Sequence, residues 1–364
     1  MNRKSIAVAM GMMAASTALL AQSAVTLGGQ IKLGMDHISV KGPGASKNAS
    51  RVSNNTSFWY LDGKEDLGGG ASAYYHLEWD FAADTGVMGA GRNFYVGLGD
   101  QTLGRLQLGR QSVYFSHHWF VVDYQGAFDA APTAANSLNV LGTINGAHFA
   151  GSFLNNTIRY EAPRIGGFSG MASYSFDAES GDVSGNKTWY LNPTYVNGPF
   201  RAGYFHMARR AQGPLPGQTT GTLDQDADRI ALGYFQNGWR AGLLVDRNKV
   251  TDSATGISQH RLAYAIPLAY TFGQNTISGT WGQAKSTTIN GNKLQDSGAR
   301  MLSLSYEYAL SKRTQLNVSA IELRNQKNGR YNFWNGSLSG GPQLPQADAG
   351  AKTRMLYLGM IHRF

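Results

Sequence analysis

The chain has no cysteine, and beyond residue 20 it has no continuously apolar run long enough to cross a membrane as a helix. The missing cysteine excludes a disulfide framework, a thiolate metal site and a cysteine nucleophile. The missing apolar runs exclude a protein that spans a bilayer with several helices. Lys and Arg exceed Asp and Glu by 9, yet no tract of five or more basic residues occurs, so the charge does not favour nucleic-acid binding.

What the chain does contain is strict alternation of large apolar and small residues. From Leu262 to Phe272 every second residue is large and apolar, and the residues between are Ala, Pro and Thr. A strand of this length exceeds the usual five or six residues and matches the roughly 9–11 that cross a bilayer at a tilt. The high content of Gly and aromatic residues agrees with a barrel in which only alternate residues face lipid.

The N-terminal residues predict secretion. Arg3 and Lys4 precede the uncharged stretch 5–20, and small residues follow at 21–23. We predict a signal peptide over 1–23, cleaved after Ser23 or after Ala21, and one domain over 24–364. A membrane-anchoring helix is the alternative, but the run is shorter than the roughly 20 residues that a span requires. Only helices and closed barrels satisfy the backbone in hydrocarbon, so exported strands indicate the Gram-negative outer membrane.

Alternating segments recur along the chain and predict about sixteen antiparallel strands in an all-β transmembrane barrel. The first runs from Val25 to Val40. The second, Ser57 to Asp66, places Trp59 and Leu61 outward. Three connections are short and five are long, as expected for periplasmic turns and extracellular loops. The short ones are Leu67–Gly70, Gly273–Asn275 and Ser311–Arg313, and the long ones lie near 41–55, 113–152, 209–227, 285–299 and 325–352.

Five stretches carry a resemblance to a known family. They are Val25–Leu27, Gly63–Gly70, Leu108–Gln111, Tyr308–Thr314 and Leu358–Phe364. As a set they resemble the Gram-negative porins of the betaproteobacterial type, and they extend from the predicted mature start to the last residue. The terminal Phe also resembles the signal that the barrel assembly machinery recognises.

The resemblance implies a homotrimer of sixteen-stranded barrels with a long third extracellular loop folded into the lumen. That loop corresponds to about Val113–Ser152. Its Asp123 and Asp129 would form the negative side of a constriction, and Arg110 and Arg159 would face them. Strict alternation places Arg110 on the lipid side, so its pore assignment requires a bulge near Gly109 or a position at the strand end.

The chain departs from the family pattern at the same place. Phe58 and Asp62 stand where the family usually has arginines, and Phe153 stands where an arginine often precedes the strand after the loop. With Tyr60 inward as well, the constriction is predicted to be more aromatic and less cationic than in the family. The candidate constriction residues are Arg110, Arg159, Asp123, Asp129, Phe58, Tyr60, Asp62 and Phe153.

The sequence offers little for catalysis or for a cofactor. No nucleophile elbow, His-Glu-x-x-His helix or phosphate-binding loop occurs. His117-His118 is a weak metal candidate, because adjacent side chains on an extended loop point apart and lack a third ligand. Glu78 and Asp80 share an inner face, which a polar barrel interior explains. Tyr and Trp near strand ends are interpreted as interfacial girdles.

The predicted function is therefore passive diffusion of small hydrophilic solutes and ions through an outer-membrane channel. Two alternatives stay open: a selective channel for aromatic or amphiphilic molecules, and an adhesin or structural barrel without conductance. The predicted partners are two further copies of the chain, outer-membrane lipid and lipopolysaccharide, the assembly machinery via Phe364, and the solutes themselves. A weak anion preference at best is expected from the inward cations Lys32, Arg105, Arg159, Arg201, Arg240 and Arg261.

Overall fold

The computed structural model describes residues 24–44, 46–114, 117, 137–176, 187–212, 222–333 and 345–364. The predicted signal peptide, His118, Asp123 and Asp129 lie outside these ranges. The described residues form one antiparallel sheet of nineteen strands and a short helix, α1 (Ser137–Leu141). Within the described ranges, no helix is long and apolar enough to cross a bilayer.

The strands, in chain order, have the following bounds. They are β1 (Ala24–Lys41), β2 (Lys47–Asn54), β3 (Ser57–Gly68), β4 (Ala71–Ala82), β5 (Val87–Asp100), β6 (Gly104–Val113), β7 (Ser152–Ile165), β8 (Phe168–Ser175), β9 (Lys187–Asn197), β10 (Phe200–Gln212), β11 (Thr222–Gln236), β12 (Trp239–Asp252), β13 (Ser258–Phe272), β14 (Asn275–Ala284), β15 (Thr288–Ile289), β16 (Asn292–Lys293), β17 (Ala299–Ala309), β18 (Thr314–Asn325) and β19 (Lys352–Arg363).

The sheet closes on itself through its first and last strands. On one edge β1 pairs with β19, from Gln30 opposite Arg363 to Lys41 opposite Lys352. On its other edge β1 pairs with β2 and then with β3, which are two parts of one barrel strand. Strands β15 and β16 form a small hairpin within the connection from β14 to β17. In the described part of the chain the barrel therefore has sixteen strands, which confirms the predicted fold class.

Exposure alternates along the barrel strands as predicted. On β17, Leu304 is 56% exposed and Tyr306 is 42% exposed, whereas Ser303 and Ser305 between them are 5% and 7% exposed. The same alternation holds on β13, where Ile266, Leu268 and Tyr270 are exposed and the alanines between the large residues are buried. A continuous ring of exposed apolar side chains is stable only against hydrocarbon, because water penalises apolar area by about 25 cal/mol per Å².

One predicted loop is in part a strand. The segment near 41–55 was expected to be a long connection, but Lys47–Asn54 forms β2 and pairs with β1 from Leu33 to Val40. Its polar composition hides its strand character, since Lys, Asn, Ser and Arg occupy most of its positions. Such residues are compatible with a strand that continues beyond the apolar belt.

The inner face is less polar than the sequence predicts. Two apolar clusters contain inward residues of the barrel strands, and each also includes residues of the segment between β6 and β7. Val140 and Leu141 of α1 belong to the first, and Leu138 belongs to the second. Inward alanines of β13 are therefore covered by protein rather than by water. Alternation identifies the inward side of a strand, but it does not show whether another segment covers that side.

Candidate pore site

Arg92 on β5 forms ion pairs with two acidic side chains of β4 on the inner wall of the barrel. Arg92 Nε lies 2.8 Å from Glu78 Oε1, and Arg92 Nη1 donates to Asp80 Oδ1 at 2.8 Å. Asn93 Nδ2 donates to Glu78 Oε2 at 2.7 Å. The side chains of Arg92, Glu78 and Asp80 are 17%, 7% and 9% exposed, so the cluster is partly desolvated. Because two carboxylates contact two different nitrogens of the same guanidinium, its orientation is fixed.

The Arg92 guanidinium also lies over two phenylalanine rings. Its Cζ is 4.9 Å from the centre of the Phe58 ring and 5.3 Å from the centre of the Phe153 ring. Arg110 Cζ is 6.0 Å from the Phe153 ring centre. These distances are in the range of cation–π attraction. The structure thus brings Phe58, Phe153 and Arg110 together around Arg92.

Arg110 stands at an irregularity in its strand. The pairing of β6 with β7 shifts register between Gly109 and Gln111, and Gly109 has a φ of 144°. That φ favours glycine and permits the bulge that a pore position for Arg110 requires. The side chain donates from Nε to the Gly91 carbonyl at 2.9 Å and also to Asn155 Oδ1.

Arg159 has a different environment from Arg110. It is 5% exposed, and it donates from Nη2 to the Ser112 carbonyl. The ring of His117 lies nearby, with its Nε2 3.2 Å from Ser112 Oγ and its Nδ1 2.6 Å from Tyr190 Oη. Both ring nitrogens of His117 therefore have hydrogen-bond partners within the protein, which indicates a structural role. In the described residues no cluster of three or more His, Asp or Glu side chains is arranged for a metal ion.

A fully buried ion network lies on the wall formed by β11, β12 and β13. Asp246 is 0% exposed, and its carboxylate lies 2.8 Å from Arg229 Nη2 and 2.6 Å from Arg261 Nη2. Tyr114 Oη donates to Asp246 Oδ2 at 2.8 Å. Isolated buried charges are costly, but this carboxylate has two guanidinium partners and a hydroxyl donor, which offset its desolvation.

The same network holds the segment that follows α1. Arg261 Nε donates to the Thr143 carbonyl at 2.9 Å, and its Nη2 donates to the Gly142 carbonyl. Asn248 Nδ2 donates to the His148 carbonyl at 2.7 Å. Residues 142–148 therefore lie against β12 and β13, although the connection starts at β6 and returns to β7.

The predicted site residues thus fall into four groups, of which the first is Phe58, Phe153 and Arg110 around Arg92. Tyr60 and Asp62 lie further along β3 from the Arg92 cluster, on the same inner face as Phe58. Arg159 is on the inner wall but buried. Asp123 and Asp129 lie outside the described ranges.

Sequence reasoning missed Arg92, because strict alternation from Phe94 places it on the lipid side. The pairing of β4 with β5 shifts register between Leu77 and Trp79 and again before Phe81. Glycines at 89 and 91 were the available signal, since glycine within a strand often marks a bulge.

A closed antiparallel barrel with an apolar outer belt and charged groups inside defines a β-barrel protein of the outer membrane. The sequence model of the Gram-negative porin family matches residues 6–328. The chain belongs to the Gram-negative porin family. Porins are channels, which confirms that the protein is not an enzyme, and they reside in the outer membrane, which confirms the predicted location.

Individual relatives agree with this assignment. The chain is 29% identical over 370 residues to outer membrane porin protein 32 of Delftia acidovorans, covering 98% of this chain and 99% of the relative. It is 26% identical to an outer membrane porin protein of Bordetella pertussis, covering 81% and 88%. Among solved structures, the anion-selective porin from Comamonas acidovorans superposes with a TM-score of 0.75 at 22% identity, covering 94% and 100%. The trimer form of OmpT from Vibrio cholerae gives 0.70 at 12% identity, covering 94% of this chain and 99% of that one.

Proposed function

We propose that this porin lets small hydrophilic solutes and ions diffuse passively through a water-filled lumen. The observation that carries the proposal is the alternation of exposed apolar and inward polar side chains around a closed barrel. A hydrocarbon-facing exterior and charged interior groups suit a pore whose selectivity depends on width and on lining charge.

The third loop is proposed to narrow this lumen. Support comes from the contacts of residues 142–148 with Arg261 and Asn248 on the inner faces of β13 and β12. In this proposal Phe58, Phe153 and Arg110 border the narrow zone, and Arg92 orders the charges within it. The ion preference is inferred to be weak, because Arg159 and Arg261, two of the cations expected to attract anions, are buried.

The proposed assembly is a homotrimer in the outer membrane. Support comes from the fold shared with the OmpT trimer form. Lipid and lipopolysaccharide are the proposed neighbours of the exposed apolar belt. Phe364 is proposed as the contact for the barrel assembly machinery. Its backbone exchanges hydrogen bonds with Gly29 at 3.1 and 3.2 Å, where the barrel closes.

Liposome swelling tests the diffusion proposal. Proteoliposomes loaded with an impermeant polymer are diluted into isosmotic sugars of increasing size. Passive diffusion predicts rates that fall with sugar size and rise linearly with concentration. Saturation with one sugar, or rates equal to those of protein-free liposomes, contradicts the proposal.

Arg110→Ala is expected to shift the ratio of K⁺ to Cl⁻ permeability toward K⁺ by about two- to threefold. A unit charge about 8 Å from an ion in water contributes roughly 0.5 kcal/mol, and the substitution removes that attraction for anions. The measurement is the reversal potential in a KCl gradient across a planar bilayer.

Arg247→Ala is the matched control, because Arg247 lies on the outer face of β12 and pairs with Asp228 at 3.3 Å. It should leave the reversal potential unchanged. An Arg110→Ala channel with the reversal potential of the natural protein removes Arg110 from the proposed narrow zone.

A further inference from the structure

Five rings form a continuous row on the inner wall of β3, β4 and β5. Adjacent ring centres lie 5.5–6.5 Å apart along the whole row. In order, the rings belong to Phe58, Tyr60, His76, Tyr95 and Tyr74. His76 lies near-parallel to both of its neighbours, with interplanar angles of 28° and 23°. All five residues are partly exposed, so the row is a surface and not part of the packed core.

Glycines opposite the row let two of its rings lie along the wall. A Cβ at Gly28 would lie 2.4 Å from Tyr60 Oη, and a Cβ at Gly97 would lie 2.6 Å from Tyr74 Cζ. The ends of both rings therefore lie directly over glycines of the neighbouring strands. In this position a ring extends along the wall rather than toward the barrel axis, which leaves a face available to a passing solute.

Carboxylates lie beside His76, in the middle of the row. His76 Nδ1 lies 2.5 Å from Asp62 Oδ1, and His76 Nε2 lies 3.6 Å from Glu78 Oε2. Asp80 and Glu78 share Arg92, whereas the Asp62 side chain is 46% exposed. Three acids and one guanidinium thus lie beside the rings of Phe58, Tyr60 and His76. At the other end of the row Arg105 Cζ lies 5.8 Å from the centre of the Tyr74 ring, so the negative charge is concentrated near Asp62.

We propose that the row is a binding path for small solutes that combine a flat aromatic ring with a positive charge. This inference rests on the proposed diffusion function and adds a solute class to it. The ring of the solute stacks on Tyr60 and Tyr95, and its cationic group contacts Asp62. Offset stacking and attraction of a cation to ring faces both favour this class over saturated or anionic solutes of the same size.

The test compares two ammonium ions that differ only in their ring. Channels of the natural protein in a planar bilayer are exposed to 2-phenylethylammonium or to 2-cyclohexylethylammonium, and the current is recorded at increasing concentration. We expect saturable block by the phenyl compound at about three- to tenfold lower concentration than by the cyclohexyl compound. This comparison needs no variant, so it does not depend on the folding of a mutant.

Variants then locate the effect. Tyr60→Leu and Tyr95→Leu should each weaken block by the phenyl compound about threefold. Tyr234→Leu, on the outer face of β11, should leave it unchanged. Asp62→Asn should weaken block by both compounds, because it removes charge and not a ring.

The possible failures are distinguishable. Channels with ordinary KCl current that both compounds block equally would overturn the ring path while leaving the diffusion proposal intact. Block that Tyr60→Leu and Tyr95→Leu do not alter would also overturn it. Absence of KCl current from the natural protein would contradict the diffusion proposal, and the ring path with it.

Discussion

Asp246→Ala is expected to lower the free energy of unfolding of the barrel by roughly 3–5 kcal/mol. Asp246 is fully buried between Arg229 and Arg261. Its removal leaves two guanidinium groups without their carboxylate in a site that water does not reach. Because Arg261 also holds the Thr143 carbonyl, the loop segment after α1 should loosen, and channel current should become noisier.

The measurement is guanidinium-induced unfolding of the refolded barrel in lipid vesicles, followed by tryptophan fluorescence. Asp224→Ala is the matched control, because Asp224 forms an ion pair of 2.7 Å with Arg210 at an exposed position. Exposed ion pairs contribute little, so this variant should unfold much like the natural protein. Equal unfolding midpoints for the two variants would show that the buried network does not stabilise the barrel.

The second large effect is expected on the lipid side. Leu304→Arg should destabilise the barrel by roughly 2–4 kcal/mol, because a charge would face the middle of the hydrocarbon layer. The outward residues from Arg300 to Leu310 lie on β17 or directly after it. They cover about 24 Å of membrane depth, at roughly 3.4 Å per residue and a tilt near 45°. Leu304 and Tyr306 lie at the centre of this span.

Leu310→Arg provides the control with the same change in chemistry at another depth. Leu310 follows β17 at the short-turn rim and is 52% exposed, so an arginine there reaches the interface and should change stability by about 1 kcal/mol or less. The folded fraction in vesicles and the unfolding midpoint are measured for both variants. Equal destabilisation by the two substitutions would show that the cost of a charge on the outer face does not depend on its position along the strand. That result would contradict contact of this face with a bilayer.

Strand alternation makes most of this fold predictable from sequence. The pattern of Leu262–Phe272 alone identifies a strand and its lipid face, because every second residue is large and apolar and faces lipid. The strand β2 was missed because it has little apolar area, and only its pairing with β1 defines it. Helix α1, with five residues, is too short for a helical period to appear.

The site was less predictable than the fold. Resemblance and parity place Phe58 and Phe153 in the proposed narrow zone, but they do not place Arg92 there, because a register shift between Phe94 and Gly91 reverses the direction of its side chain. The burial of Arg261 depends on carbonyls of residues 142 and 143, which lie far away in sequence. Contacts of this kind come from a loop that crosses to another wall, and no local pattern records them.

The two faces of the barrel strands contact different solvents. Because the chain has no cysteine, single introduced cysteines can test this directly. Single variants Leu243→Cys and Leu268→Cys on the outer face, and Arg240→Cys and Thr271→Cys on the inner face, are labelled with a small fluorophore in vesicles. We expect brominated lipid to quench the first pair of labels and aqueous iodide to quench the second pair. Quenching of all four labels by the same agent would contradict contact with two different solvents.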